Sequence, residues 1–191
     1  MKTIILASAS PRRKEILRKT GLKFRVDASE YSEDNGHNLP PHKLATYLSL
    51  EKAKSVARKY KNAIIISADT FIVFNGRIFG KPVNISDARK MLRLFRGKPH
   101  SVITGFTIID TSTNKKVSRS IETKVYFRKL MNSEIESYIR TKEYIDKAGA
   151  YGIQGMGALL IEKIEGDYFN VMGLPLTALV ESLKKFGVKV L

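Results

Sequence analysis

Cysteine occurs nowhere in the 191 residues, which excludes disulfides and thiolate metal sites and is compatible with a reducing compartment. Histidine is scarce and scattered, His37 and His42 lying in a polar loop and at an expected helix start and His100 far along the chain, and with no cysteine to join them a zinc site is not expected. No apolar run is long enough to span a bilayer. The opening stretch Met1 to Ala9 superficially resembles a signal peptide, but its apolar run is short and Arg12-Arg13-Lys14 follows at once, so a cytoplasmic protein is expected. Repeats, low-complexity tracts and linkers are missing, and residues 1–191 are expected to form a single domain. Two nucleotide signatures are missing as well. There is no GxGxxG and no GxxxxGKS/T, and Gly80-Lys81-Pro82 lacks the Ser or Thr that a Walker loop needs.

Positive charge is what the chain has in excess: 34 Lys and Arg against 18 Asp and Glu, a net +16. Such a surplus suits either a nucleic-acid surface or attraction for small polyanions such as nucleotides. The basic residues are spread along the whole chain with no basic tail and no run of five like charges, which disfavours a nucleic-acid partner. Most of them are expected simply to solvate the surface. The remaining composition, 43% hydrophobic and 27% charged, is that of an ordinary globular protein.

The stretch Ala63 to Pro82 organises the rest. Ala63 to Ile66 has the β-branched character of a strand buried on both faces, and it is expected to stop at Ser67-Ala68-Asp69-Thr70, leaving a carboxylate at an exposed strand end. After Phe71 to Phe74, Asn75-Gly76 predicts a tight hairpin that returns Lys81 to the same end of the sheet as Asp69. An acid and a lysine meeting there make either a site or an edge salt bridge.

Elsewhere, strand, helix and loop signals alternate. Thr3 to Ala7 predicts a buried strand; Ser8-Ala9-Ser10 follows as a small-residue loop, and Ser10 with Pro11 predicts a capped helix to Thr20, closed by Gly21. A helix start attracts anions, and Arg12 and Arg13, about 100° apart on the helix, must serve different purposes there. A second strand, Lys23 to Ala28, leads to a polar loop with Glu30, Glu33 and Asp34, one of which could hold magnesium. In the helix expected from Pro41 to Tyr60, Lys52 borders the apolar face near Ala45, Leu48 and Val56, where it either snorkels or serves a site. Further on, Ser86 is expected to cap a helix to Arg96, and Ser133 with Glu136 to form a capping box. A long hairpin is expected from His100 to Phe127 around the turn 111–115, and a strand from Ala158 to Ile164. A final helix is expected from Pro175 to Phe186. Hairpins and helical crossovers together predict an α/β chain with a mixed sheet.

Several blocks resemble a known family: Ser8-x-Ser10-Pro11-Arg12-Arg13, Glu51-Lys52-Ala53, Ala68-Asp69-Thr70, Gly80-Lys81-Pro82, and Asp146 to Gly155 with its sequence DKAGAYGIQG. In order and over nearly the whole chain, they are similar to the signature blocks of the Maf family of nucleoside triphosphate pyrophosphatases. The resemblance implies an elongated, twisted mixed sheet flanked by helices, related to the inosine triphosphatases. The implied activity is hydrolysis of a nucleoside triphosphate to the monophosphate and pyrophosphate with Mg2+ or Mn2+, in the housecleaning of nucleotide pools, with a link to cell-division arrest; a homodimer is compatible with it.

By the same resemblance, Asp69 matches the family's catalytic acid and metal ligand, and Ser8, Arg13, Lys52 and Lys81 match its phosphate-binding residues. Glu33 matches its loop acid and second metal ligand, with Glu30 as competitor. Arg12, Thr70 and Gln154 match the specificity positions and are similar to the branch acting on dTTP and UTP. The sister branch acting on 7-methyl-GTP tends to have a non-basic residue, Gln and Glu there. The chemistry is consistent, since attack at an α-phosphorus requires neutralised phosphate charge and either a base or a metal-activated water. The Gln154 amide, both donor and acceptor, suits a pyrimidine edge.

Overall fold

The computed structural model describes residues 2–31 and 38–190. In chain order the elements are β1 (Thr3–Leu6), α1 (Pro11–Arg18), β2 (Phe24–Val26), α2 (Pro41–Ala57), β3 (Ala63–Phe74), β4 (Arg77–Phe79) and α3 (Ile85–Phe95). Then follow β5 (Pro99–Asp110), β6 (Lys116–Phe127), α4 (Asn132–Arg140), β7 (Ile161–Glu165), α5 (Tyr168–Met172) and α6 (Leu176–Lys184). The strands form one mixed seven-stranded sheet in the order β2-β1-β3-β5-β6-β7, with β4 paired to β3. Two compact units share it, because the long strands β3, β5 and β6 each give one end to either unit.

The first unit comprises the described residues within Met1–Asp69, Thr104–Ile121 and Gly173–Leu191. Here β1 runs parallel to both neighbours, Ile4 lying opposite Phe24 of β2 and Ile64 of β3. Parallel neighbours need crossovers, which α1 and α2 provide. With helices available as cover, β1 and β3 become apolar throughout, and Ile5, Leu6 and Ile64 to Ile66 are fully buried.

The second unit comprises Thr70–Ile103 and Glu122–Met172. Asn75 and Gly76, both at positive φ, turn β3 into β4 as their dipeptide predicts. Its core is aromatic: Phe95 meets Phe74, Phe79 and Phe127 edge-on at centroid distances of 5.6, 5.4 and 6.1 Å.

Several local expectations give way to other partners. β3 does not stop at Ser67 but runs unbroken to Phe74, so Asp69 lies within a strand, buried, rather than at an exposed end. Continued pairing and burial carry the strand past its polar residues. Asn84, not Ser86, caps α3, because its Oδ1 accepts from the Asp87 amide at 2.9 Å. At α4, Glu134 reaches back to the Met131 amide at 2.7 Å, while Glu136 is taken by Arg89, so Ser133 and Glu136 form no box. Residues 155–160 form a 3-10 turn and the strand begins only at Ile161. The helix α5 had no signal strong enough to separate it from the turn before it.

Candidate active site

In the first unit the loop from β1 to α1 builds a polar nest from its own sequence. The hydroxyl of Ser10 accepts from the Arg13 amide at 3.4 Å, capping α1 with Pro11 in its first turn. Ser8, only 7% exposed, accepts from the Ser10 amide at 3.3 Å and from Arg13 Nη1 at 3.2 Å. Arg13 Nε donates to the Gly173 carbonyl at 2.8 Å, just ahead of α6. A guanidinium held through two of its nitrogens beside a helix start is an arrangement with the donors and charge that suit an anion. Arg12, next on the helix, is half-buried.

Asp69 belongs to the same unit. The Ala7 amide donates to the Ile66 carbonyl at 2.7 Å, extending the β1 and β3 pairing, so Ser8 follows the end of β1 while Asp69 lies three residues past Ile66 in the continuing β3. Lys52 of α2 forms an ion pair with Asp69 Oδ1, both side chains mostly buried. Buried charge of this kind is tolerated only when paired. Lys52 is therefore not a snorkelling surface lysine, and it is Lys52 that partners Asp69.

The position of Lys52 is set one turn earlier on α2. Ser67 donates to the Ser49 carbonyl at 2.5 Å, and hydroxyl contacts continue from Ser49 to Thr107 at 2.9 Å and from Thr107 to Ser118 at 2.8 Å. Gly105 lets the helix lie directly on β5, since a Cβ there would stand 2.1 Å from the Ala45 carbonyl oxygen. Sequence reasoning missed this support, although an isolated glycine inside a β-branched strand signals a close backbone approach.

The other expected residues belong to the second unit. Thr70 follows Asp69 in β3 and is half-buried. Lys81 is exposed and lies 3.6 Å from the Asp146 carboxylate. Gln154 is half-buried in the glycine-rich stretch 146–160, which is held at several points. The Gly149 amide donates to the Gly80 carbonyl at 2.8 Å, and a Cβ on Gly149 would meet Ile72 Cδ1 at 2.1 Å. The buried Tyr151 hydroxyl sits 2.6 Å from His100 Nε2, and its ring packs edge-on against Phe127 at 4.7 Å. Burial pushes the His100 imidazole down to about 3 and raises the Tyr151 phenol, so both are neutral. His100 is thus a structural core residue, and Tyr151 anchors the loop.

Glu33 lies outside the described residues. Its competitor Glu30 is exposed, 3.5 Å from Lys59. Among the described residues no three acidic or imidazole side chains gather into a metal cage. The single carboxylate of Asp69 still suits a hard divalent cation, which binds through one or two carboxylates and completes its shell with phosphate oxygens and water.

Residues 3–186 match the family described as Maf-like protein. Over 191 residues the chain is 47% identical to a protein of Methanosarcina barkeri (strain Fusaro / DSM 804) named dTTP/UTP pyrophosphatase, covering 100% of this chain and 97% of that one. A Dictyoglomus thermophilum protein of the same name is 47% identical over 191 residues, covering 100% and 99%. One from Clostridioides difficile (strain 630), also so named, is 47% identical over 183 residues, covering 96% and 94%.

Proposed function

Because the chain belongs to the Maf-like protein family, we propose that it is a nucleoside triphosphate pyrophosphatase that converts dTTP and UTP to the monophosphate and pyrophosphate. The observation that carries the reading is the assembly in one unit of a braced anion site, Ser8 with Arg13 at the start of α1, and a buried lysine-carboxylate pair, Lys52 with Asp69. The buried ion pair is weak evidence for a purely structural role, since an apolar pair of the same volume often serves a core as well or better.

In the reaction a water oxygen bonds to the α-phosphorus, the bond from that phosphorus to the bridging oxygen breaks, and pyrophosphate leaves. Ser8, Arg13 and the amides at the start of α1 bind phosphate oxygens and orient the chain for in-line attack. Lys52, released from Asp69 by the incoming phosphates, neutralises charge on them, and Lys81 is assigned the same task on family grounds. Asp69 either accepts the proton of the attacking water or holds the divalent cation, Mg2+ or Mn2+, through its carboxylate. Such a cation supplies charge neutralisation and a more acidic water. Gln154, with Arg12 and Thr70, is assigned to base selection, and Glu33 to a second ligand position. We place the enzyme in the cytoplasm, in keeping with its lack of cysteine, with nucleotides rather than nucleic acid as partners.

The test is incubation with each nucleoside triphosphate plus magnesium and separation of the products. Pyrophosphate and monophosphate, formed first from dTTP and UTP in an equimolar mixture, are expected. Prior consumption of 7-methyl-GTP or a purine nucleotide would overturn the substrate assignment. Tight nucleic-acid binding without pyrophosphate release would overturn the activity.

A further inference from the structure

The stretch carrying Gln154 is pinned on both sides. Upstream, Tyr151 is anchored by its hydrogen bond to His100 and its packing on Phe127. Downstream, the next fixed points are the amides of Met156 and Gly157. They donate to the two oxygens of one carboxylate, Glu143, at 3.1 and 3.3 Å. Glu143 lies thirteen residues before Met156, in the turn that follows α4.

One feature makes room for this carboxylate, and two more fix the loop around it. Gly155, at φ +62°, offers a bare Cα on that side, where a Cβ would stand 2.8 Å from Glu143 Oε1. Gly157 packs on the Gly152 carbonyl, where a Cβ would stand 2.1 Å from the oxygen and close the loop on itself. Lys147 Nζ donates to the backbone carbonyl of Glu143, tying the acid's own main chain to the same loop. A carboxylate accepting two adjacent amides is a charge-assisted bidentate clasp. It acts here on the turn that begins one residue after Gln154, leaving only residues 152–155 between the two anchors.

We infer that Glu143 is a positioning residue for base selection: by clasping the Met156 and Gly157 amides it holds Gln154 where its amide can read the base. This rests on the pyrophosphatase reading above and on Gln154 as the base-reading residue. Glu143 touches neither phosphate nor reacting atoms in this account, so its loss should act on discrimination rather than on the chemical step. Small displacements of a reading group have large kinetic effects.

The experiment compares kcat/KM for dTTP and for GTP in the wild type, Glu143→Ala and Glu143→Gln, each shown to be folded by its melting curve. The dTTP over GTP ratio is expected to fall by about tenfold in Glu143→Ala, the weight of a lost hydrogen bond to a charged group. The fall should come mainly from a raised KM for dTTP, with GTP turnover nearly unchanged. Glu143→Gln, whose amide oxygen still accepts one bond, should restore part of the ratio, and it carries the test alone if Glu143→Ala does not fold. If both nucleotides lose rate equally and the ratio stays within twofold of wild type, Glu143 merely stabilises the loop and the inference fails while the pyrophosphatase reading stands. If the wild type releases no pyrophosphate from dTTP, the reading itself fails.

Discussion

Replacing Gly105 by alanine tests the geometry around Asp69 without touching any group that meets substrate. The added Cβ would lie 2.1 Å from the Ala45 carbonyl oxygen, 2.2 Å from its carbon and 2.7 Å from the Thr46 nitrogen. All three atoms are helix backbone, so no side chain can swing aside. Relief requires α2 or β5 to move by about 1 Å, and overpacking of this kind costs about 1 to 3 kcal/mol. We take the upper end, because the helix is also tied to the sheet through Ser67, Ser49 and Thr107. In a protein of this length about 3 kcal/mol corresponds to a melting point lowered by roughly 6 to 12 °C. The same displacement carries Lys52 away from Asp69, and a 1 Å misplacement of a catalytic group can cost about a hundredfold in rate. Calorimetry and pyrophosphate release at a temperature where the variant is fully folded measure the two effects separately. A variant that melts within 2 °C of wild type and turns over normally would show that α2 is not held against β5 as described.

Asp69→Asn, which keeps shape while removing the base or metal ligand, should lower turnover by about two to four powers of ten and leave nucleotide affinity by calorimetry nearly intact; Arg13→Ala should instead weaken binding and rate together. His100 gives a pH signature. Its imidazole titrates near 3 when folded against 6.5 when unfolded, because burial disfavours the cation. Its contribution is therefore complete above pH 6.5 and is lost as pH falls toward 3, amounting to about 3 kcal/mol by about pH 4. Burial works to raise Asp110, but hydrogen bonds from Lys2, Ser112 and Thr113 hold it at about 2, so its contribution is lost only below the 3.8 of a free carboxyl. Unfolding free energies at several pH values for wild type and His100→Gln should diverge in slope between pH 6.5 and 4. Parallel curves would refute the burial argument.

Much of the local structure was legible because its rules reach only a few residues along the chain. Ser10 and Pro11 announce the start of α1, Asn75-Gly76 the β3 turn, and the turn at 111–115 the long hairpin, because caps and turns are satisfied by near neighbours. Where two short-range partners compete, the outcome shifted by a residue or two, as when Asn84 rather than Ser86 capped α3. The residue blocks also singled out Ser8, Arg13, Lys52 and Asp69, though not that Ser8 would touch Arg13 and Lys52 would touch Asp69. Pattern alone suggested Lys81 as the lysine for Asp69; the fold paired Asp69 with Lys52, seventeen residues away, since the crossover helix lays one face along the strand it leads into. Glu143 gave no signal at all, because its partners are backbone amides that every residue but proline carries. His100 looked isolated until Tyr151, fifty-one residues on, closed over it. Contacts of this range depend on which elements the topology makes neighbours, and only the assembled sheet and its covering helices decide that.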